Sequence, residues 1–368
     1  MPKSADALNE LVSATVQRLQ ANSEDDPLEI ELHLDGDRDV DVALRHARPR
    51  RLDWGALRAA VTRALADEGL NLRRFEEALT ISSRVIGDDD PVPQVKNVVL
   101  VMSGKGGVGK STVCANLACA MAAMGAKVGL LDADIYGPSV PTLFGIRSQP
   151  MSDGQKIMPV EKHGVKLMSI GFLLEDDKSA VIWRGPMLHG ALMQFLKDVA
   201  WGDLDYLFLD MPPGTGDIAL TLSQRVQSNG AVVVTTPQEM ALQDVYKAVA
   251  MNQKVGIPIL GIVENQSYFV CSSCSTRHEL FGKGGGAHVA EQAGAPLIGQ
   301  LPLVPEVQQA SDAGLPVVKS KPDSAGAVAF FEVAERLGQR IAEENASGTE
   351  ALLIDRTGGK NRHLPLAR

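Results

Sequence analysis

The sequence predicts an α/β protein built mainly on a doubly wound, mostly parallel sheet, preceded by a small α+β domain. Six short apolar runs between residues 97 and 303 have the unbroken hydrophobicity of buried parallel strands, and helical segments separate them. A glycine-rich loop joins the first run to the first of those helices. Before residue 87 the pattern differs, because apolar and polar residues alternate there as in strands with one exposed face.

Residues 1–86 are predicted to form the small domain, with the element order α-β-β-α-β. A helix with one apolar face is expected over residues 5–20, and a second helix in DWGALRAAVTRALADEG. Strands are expected in LEIELHLD, DVDVALRH and FEEALTISSRV. The acidic, proline-bearing residues 87–95 are predicted to be a linker. The main domain is assigned to residues 96–344, and the polar residues 345–368 are predicted to be a disordered tail.

The main domain is predicted to alternate strands and helices. Its strands are expected in NVVLVMS, KVGLLDAD, YLFLDMPP, GAVVVTTP, ILGIVEN and PLIGQLPL. Its helices are expected to include residues 110–124, 185–200 and 240–255. This alternation is typical of helical crossovers that keep successive strands parallel.

The glycine-rich loop SGKGGVGKST has the spacing of a phosphate-binding P-loop, in which Gly104 and Gly109 are followed by Lys110 and Ser111. Glycines let backbone N–H groups curl around phosphate oxygens, and the helix N-terminus adds positive potential. We expect Lys110 to reach the β- and γ-phosphates, Ser111 to ligate Mg²⁺ and Thr112 to bond an α-phosphate oxygen. The predicted nucleotide-binding residues of the loop are Gly104, Lys105, Gly106, Gly107, Val108, Gly109, Lys110, Ser111 and Thr112.

Lys105 is a second lysine inside the loop, which an ordinary P-loop does not need. Because Lys110 already takes the place beside the phosphates, two interpretations of Lys105 remain. It acts on a nucleotide across a dimer interface, or it is a solvated surface lysine.

Polar side chains end three of the predicted strands. Asp210 ends YLFLD, where a carboxylate beside a P-loop usually binds a water ligand of Mg²⁺. Asp132 and Asp134 end KVGLLDAD, and they either position the attacking water or cap the following helix. Asn265 ends ILGIVEN, and its amide suits either the adenine edge or a turn.

Composition argues against several classes of function. The net charge of −9 and the pI of about 5.4 do not fit a protein that binds nucleic acid or an anionic membrane. Four cysteines in 368 residues make no disulfide framework. The amino terminus lacks the apolar core of a secretory signal, and no apolar run is long enough to span a bilayer. We therefore expect a reduced, cytoplasmic protein that binds neither nucleic acid nor membranes.

Several longer strings carry a family resemblance. GKGGVGKST resembles the deviant Walker A motif shared by the ParA/MinD-type ATPases and the nitrogenase iron protein. DADIYGPSVPTLFG, WRGPM, DMPPGTGD, ENQSYFVCSSC and FGKGGGAHVAEQAGAPLIGQLPLVPEV resemble the Mrp/ApbC-type iron–sulfur cluster carrier ATPases over about residues 95–320. The resemblance implies a homodimer of P-loop domains that slowly hydrolyses ATP with Mg²⁺ and holds a cluster between its subunits. It also implies that Lys105 acts across the dimer, with Lys110 and Asp134 as further catalytic residues.

The chain departs from that family's usual pattern at two positions. Ser272 follows the first cysteine where Pro is usual, and Gln266 follows Asn265 where Met is usual. We expect a less stiff loop with its thiols, and hence its function, retained. The N-terminal domain contains no cysteine, so it is interpreted as a docking or regulatory domain.

Cys271 and Cys274, in YFVCSSCSTRHELFG, supply two of the four thiolates that a [4Fe–4S] cluster takes. Cys114 and Cys119 lie among small apolar residues of a predicted helix, so we interpret them as packing residues. A two-fold axis supplies a second pair automatically, which predicts a cluster that bridges two protomers. The alternative metal is Zn²⁺ bound by Cys271, Cys274 and His278, whose spacing is near that of structural zinc sites.

The predicted function is an ATPase that carries iron–sulfur clusters between scaffold proteins and apoproteins. The alternative is a ParA/MinD-like ATPase switch with a structural zinc loop, which would need a basic face for DNA or an amphipathic tail for a membrane. A metabolic kinase or ligase would need an acid–base constellation of its own, whereas His163, His189 and His288 are isolated in the sequence.

Overall fold

The structure is a computed structural model, and the chain divides into two compact units, Met1–Ile81 and Ser82–Arg368. The first unit ends at Ile81 rather than at residue 86, because the residues that follow belong with the second unit. The structure describes residues 5–19, 28–36, 38–134, 137–173, 185–214, 225–271, 273–274 and 276–358.

The first unit has the predicted element order, and its helices and strands share one apolar core. Its three strands form a sheet in the order β1–β2–β3, with β1 antiparallel and β3 parallel to the central strand. Apolar residues of both helices, such as Val12 and Val61, are buried with Val40 and Leu44 of the sheet. The elements are α1 (Ala5–Leu19), β1 (Glu29–Asp35), β2 (Asp39–His46), α2 (Trp54–Asp67) and β3 (Asn71–Leu79).

The last strand of this unit begins and ends earlier than predicted. FEEALTISSRV covers residues 75–85, whereas β3 runs from Asn71 to Leu79. Pairing with β2 sets these limits, because Asn71 lies opposite Asp39 and Leu79 lies opposite His46, where β2 ends. The strand therefore extends only as far as its neighbour in the sheet.

The second unit contains the remaining elements, which alternate along the chain as predicted. The strands are β4 (Val95–Ser103), β5 (Val128–Asp132), β6 (Val160–Lys162), β7 (Val165–Ser169), β8 (Leu204–Asp210), β9 (Gly230–Thr235), β10 (Ile259–Val270), β11 (Arg277–His278) and β12 (Leu297–Pro302). The helices are α3 (Lys110–Ala123), α4 (Val140–Leu143), α5 (Gly185–Asp198), α6 (Glu239–Lys254), α7 (Gly285–Ala293), α8 (Pro305–Asp312), α9 (Val317–Ser320) and α10 (Ala325–Gly358), with a 3₁₀ turn at Ile170–Leu173.

Within the described ranges, nine strands form one sheet in the order β11–β10–β9–β4–β8–β5–β7–β6, and β12 pairs with β10. The pairs are parallel except for β6 with β7 and β11 with β10. The predicted fold class is confirmed. In the sheet, β5 lies on one side of β4, whereas β9 and β10 lie on the other side of it. The strand order therefore reverses at β4, which is the topological switch point. Ligands of such sheets bind outside the carboxyl ends of the strands at this switch point.

Both faces of the central strands are covered. Every residue of β4 from Val98 to Met102 is at most 1% exposed, although successive side chains point to opposite faces. One face packs against α5 through Phe195 and Leu196. On the other, α3 packs with β5 and with the long helix α10. This double cover explains why the strands are continuous apolar runs in the sequence.

The predicted linker is an ordered part of the second unit. Arg84 and Asp90 form a buried ion pair with Nη1–Oδ2 at 2.5 Å, and Val92 is fully buried in the core around β4. The sequence predicts a linker here because Arg84, the partner of Asp90, lies outside the acidic string. The predicted tail also begins inside a helix, since α10 continues to Gly358 and the side chain of Asn345 bonds to Asn97 and Asn229. Residues 359–368 lie outside the described residues.

No helix in the described part of the chain combines the length and the hydrophobicity needed to cross a membrane.

Candidate functional site

The P-loop lies between the end of β4 and the start of α3, as predicted. Gly104 packs so closely on α6 that an added Cβ would lie 2.3 Å from the backbone carbon of Asp244. Gly109 has a φ of +83° and directly precedes α3, so a residue with a side chain would be strained there. The Ser103 hydroxyl donates to the Lys105 carbonyl at 3.0 Å, which ties the loop to the strand.

Lys110 is held by two carboxylates at the carboxyl edge of the sheet. Its Nζ donates to Asp210 Oδ1 at 2.5 Å and lies 3.8 Å from Asp134 Oδ2. All three residues are buried. Burial alone would lower the pKa of Lys110, but the charge and hydrogen bond of Asp210, with the charge of Asp134, outweigh it and raise that pKa. The sequence-predicted Lys110, Asp134 and Asp210 therefore meet around one ammonium group.

Asp132 has a different role from its neighbour two residues later. Its carboxylate accepts hydrogen bonds from the backbone N–H of Asp134 and Val140, both at 3.1 Å, and from the Ser169 hydroxyl at 3.0 Å. These bonds hold the turn after β5 and the start of α4, which matches the capping interpretation. Burial and the negative charge of Asp210 raise the pKa of Asp132 to about 7.

The oxygen atoms around Lys110 fit a magnesium ion. Ser111 Oγ lies 3.2 Å from Lys110 Nζ, and Asp210 Oδ1 lies 2.5 Å from the same nitrogen, so the two oxygens are close to each other. Asp210 Oδ2 is buried and has no hydrogen-bond partner among the described residues. Hydroxyl and carboxylate oxygens are ligands that Mg²⁺ or its bound waters prefer. An orphaned carboxylate oxygen at this position fits a partner that arrives with the nucleotide.

Asn265 contacts the P-loop itself. Its Nδ2 donates to the Val108 carbonyl at 2.8 Å, and a Cβ on Gly109 would lie 2.3 Å from the same nitrogen. The sequence predicts that the Asn265 amide contacts the adenine edge or lies in a turn. In the structure, the amide bonds to the P-loop, 157 positions away in the sequence. Asn265 thus fixes the loop from β10.

A cavity of about 670 Å³ opens beside the P-loop. Gly109 and Thr112 of the P-loop line it together with Asn265. Pro302 and Leu303, where β12 ends, are among its other lining residues. Small-molecule sites commonly have volumes of about 300–1,000 Å³ and mostly apolar walls, so the cavity suits a nucleoside attached to phosphates in the loop.

Cys271 and Cys274 lie in the turn between β10 and β11. The segment from residue 268 to residue 280, called the cysteine hairpin below, is closed by a bond from the Cys271 N–H to the Thr276 carbonyl at 3.0 Å. Cys274 is exposed, and its Sγ lies 3.2 Å from Thr276 Oγ1. Hydrogen bonds from Thr276, and one with Cys271, lower the pKa of Cys274. The two thiols are therefore neighbours in this turn, where Cys274 is exposed and Cys271 is half-buried.

The other two cysteines are packing residues, as predicted. Cys114 and Cys119 are fully buried in α3, where burial raises the pKa of Cys114 and raises that of Cys119 to about 12. Cys271, Cys274 and His278 do not converge as a three-ligand metal site, and the ring of His278 lies 6.4 Å from the ring of Phe269. In the part of the chain that is described, no three His, Cys, Asp or Glu side chains converge as a metal site.

Sequence reasoning missed Glu264, which organises the strand beneath the hairpin. Its buried carboxylate accepts hydrogen bonds from the Ser267 hydroxyl at 2.6 Å, from the Gln300 amide at 2.9 Å and from the Gly286 N–H. These bonds tie β10 to β12 and to the start of α7, next to a bulge where Gln266 adopts a φ of +53°. A lone glutamate at the end of an apolar run, followed later by GGG, was the available signal.

Comparison with known proteins assigns the chain to a family. A model of the ParA-type family described as NUBPL iron-transfer P-loop NTPase matches residues 94–338. The chain belongs to this family. The iron-sulfur cluster carrier protein of Aquifex aeolicus is 54% identical over 252 residues, which are 68% of this chain and 69% of that protein. The carrier protein of Escherichia coli K12 is 51% identical over 249 residues, 67% of each chain.

Solved structures agree on the fold. The nucleotide-binding protein of Archaeoglobus fulgidus in complex with ADP is 40% identical, has a TM-score of 0.57, and covers 67% of this chain and 98% of its own. MinD of Pyrococcus horikoshii, complexed with Mg-ADP, has a TM-score of 0.51 at 23% identity over 67% of this chain and 98% of its own, and it shares the fold. The resemblance stated from the sequence is confirmed, and this family member is a P-loop NTPase.

Proposed function

We propose that the protein is an ATP-hydrolysing carrier that holds an iron–sulfur cluster between two copies of the chain and delivers it to apoproteins. The observation that carries the proposal is the pair of adjacent thiols at the exposed tip of the cysteine hairpin. One chain offers two such thiols, whereas a [4Fe–4S] cluster takes four thiolates. A two-fold axis through the tip supplies the other two, so Cys271 and Cys274 of each protomer complete the site.

The relatives support this reading of the hairpin. The curated relatives are named iron-sulfur cluster carrier proteins, and the family is described by iron transfer. A cluster held by accessible thiolates is exposed to an acceptor, as a cargo that is passed on needs to be. Scaffold proteins that load the carrier and apoproteins that unload it are its expected partners.

Hydrolysis uses the residues around the P-loop. Lys110 leaves Asp210 and binds the β- and γ-phosphates when ATP enters the loop. Ser111 and, through one of its waters, Asp210 would hold Mg²⁺, and the ion would supply positive charge that stabilises the phosphates. Asp134 lies close enough to Lys110 to orient the attacking water beside the same phosphate. Lys105, partly exposed at the loop, acts on the nucleotide of the partner subunit.

Anaerobic reconstitution of the full chain tests the cluster site. Wild type should take up iron and sulfide in equal amounts, whereas Cys271→Ser and Cys274→Ser should each lose stable uptake, because a serine hydroxyl is a poor substitute for thiolate. Cys119→Ala is the matched control, since this buried thiol should leave uptake unchanged. Visible absorbance and iron, sulfide and zinc counts on the same samples give the readout.

Two results would overturn the proposal. Equal iron uptake by the serine variants would place the ligands elsewhere. Tight zinc with no iron uptake by wild type would favour the ATPase switch with a structural zinc loop.

A further inference from the structure

The cysteine hairpin forms part of the wall of the nucleotide cavity. Phe269, two residues before Cys271, and Leu280, two residues after β11, line the same cavity as Gly109 and Thr112 of the P-loop. The hairpin that carries the thiols is therefore a neighbour of the nucleotide site in space, although it lies far from the P-loop in the sequence.

The positions of these residues indicate which part of a nucleotide they meet. Phosphates bind to the loop backbone and the start of α3, so Thr112 marks the α-phosphate end of the site. Pro302 and Leu303 also line the cavity, and the Leu303 N–H bond to the Tyr268 carbonyl places them next to Phe269. A nucleotide whose phosphates lie in the loop has its base in the rest of this cavity, whose lining includes Phe269 and Leu280.

Leu280 exposes much of its apolar side chain to solvent. It is 58% exposed, which makes it one of the most exposed large apolar side chains in the described part of the chain. A flat base that covers Leu280 and Phe269 removes apolar surface from water, which favours binding. Val270, between Phe269 and Cys271, is also exposed but does not line the cavity, because neighbouring strand residues point to opposite faces.

The root of the hairpin is fixed while its tip is accessible. Asn265 bonds to the P-loop and Glu264 bonds to α7 and Gln300, so β10 is anchored at the nucleotide site. The Leu303 N–H donates to the Tyr268 carbonyl at 2.7 Å, which joins the hairpin to the cavity wall at β12. A ligand in the cavity thus contacts the hairpin at Phe269 and Leu280, close to these anchoring bonds.

We propose that Phe269 and Leu280 contact the base of the bound nucleotide, so that nucleotide binding and cluster loading act on the same hairpin. The contact stands on the cavity alone, whereas the link to the cluster rests on the proposed function. Because linkage is reciprocal, a cluster that fixes the hairpin changes nucleotide affinity by the factor by which nucleotide changes cluster affinity.

The contact is tested on the cluster-free protein with ADP and with inorganic pyrophosphate, which has no base. Leu280→Ala should weaken ADP binding by about three- to ten-fold, as expected for the loss of a partly covered leucine, and leave pyrophosphate binding unchanged. Val270→Ala is the matched control and should change neither affinity. Calorimetric titration gives both constants. Unchanged ADP affinity in Leu280→Ala, or equal losses for ADP and pyrophosphate, would overturn the contact.

The link is tested by measuring ADP affinity in wild type before and after cluster loading. We expect the two affinities to differ by at least about three-fold, and the difference to shrink in Leu280→Ala. Equal affinities in loaded and unloaded wild type would overturn the link. Failure of wild type to take up any cluster would refute the proposed function instead, and the ADP and pyrophosphate titrations would still decide the contact.

Discussion

Replacement of Asp210 by asparagine probes the charge balance at the centre of the site. Without nucleotide, the buried ammonium of Lys110 depends on Asp210 Oδ1 at 2.5 Å, with Asp134 at 3.8 Å as a weaker second partner. Asp210→Asn keeps the shape and one acceptor oxygen but removes the charge. The variant therefore leaves Lys110 buried with most of its compensation lost.

The loss of stability expected in Asp210→Asn follows from the burial of both Lys110 and Asp210. Lys110 is 6% exposed and the Asp210 side chain 0%. Removing one partner of a buried ion pair typically costs about 3–5 kcal/mol. Because the asparagine oxygen still accepts a hydrogen bond and Asp134 remains, we expect the lower end, about 3 kcal/mol less unfolding free energy for the nucleotide-free protein. Urea unfolding at neutral pH measures this loss.

The same substitution should strengthen nucleotide binding when Mg²⁺ is absent. In wild type, Lys110 must leave Asp210 to reach the phosphates, whereas in Asp210→Asn the phosphates restore a lost counter-charge. We expect ADP to bind the variant about ten-fold more tightly in EDTA, and added Mg²⁺ to help the variant less than wild type. Isothermal titration with and without Mg²⁺ gives these constants.

Asp205→Asn provides the control on the same strand. Asp205 accepts a hydrogen bond from the Lys127 N–H at 2.9 Å, which an asparagine oxygen can also accept, and it pairs with Lys96 at 2.8 Å. Lys96 is 43% exposed, so water and salt screen that ion pair. This variant should lose only about 1 kcal/mol and leave ADP affinity unchanged. If Asp210→Asn costs no more than Asp205→Asn and binds ADP like wild type, the Lys110–Asp210 pair does not govern the empty site.

Three further predictions follow from the site and the fold. Lys110→Ala should abolish both nucleotide binding and hydrolysis, whereas Lys105→Ala should lower turnover far more than ADP affinity; parallel losses in both assays would contradict separate roles. Raised to about 7, the pKa of Asp132 makes its ionisation costly in the folded state, so this group contributes less stability as pH rises from about 4 to 7. The cost of Asp132→Asn should therefore be smaller at pH 8 than at pH 5 in urea unfolding, and a difference that does not vary with pH would contradict this assignment. Deleting residues 1–81 should leave a folded ATPase that takes up a cluster, whereas deleting 1–90 also removes the buried Arg84–Asp90 pair and should lower the thermal midpoint by several degrees; equal midpoints would refute a structural role for that pair.

Patterns within a short stretch of sequence predicted the fold class and the strand–loop–helix arrangement of the P-loop. The P-loop combines a strand, glycines and a helix start within about fifteen residues, so local rules suffice for Lys110 and Ser111. Asp210 was predicted because the carboxyl ends of neighbouring parallel strands meet at one edge of the sheet.

Contacts between distant parts of the chain were the ones that the sequence did not reveal. Asn265 bonds to the P-loop, and Glu264 bonds to Gly286 and Gln300 on other elements. The short edge strands β6 and β11 have too few residues for a periodic signal. Residues 87–95 looked like a linker because the cation that neutralises Asp90 is visible only once the chain is folded.

In the proposed function, two copies of the chain share one cluster through Cys271 and Cys274. Native mass spectrometry of the anaerobically reconstituted protein tests this sharing, because one mass counts protomers, iron and sulfide together. We expect a dimer that carries a single four-iron, four-sulfide unit, and a cluster-free mass for Cys274→Ser. A monomer that carries its own cluster, or a wild-type dimer whose only metal is zinc, would contradict it.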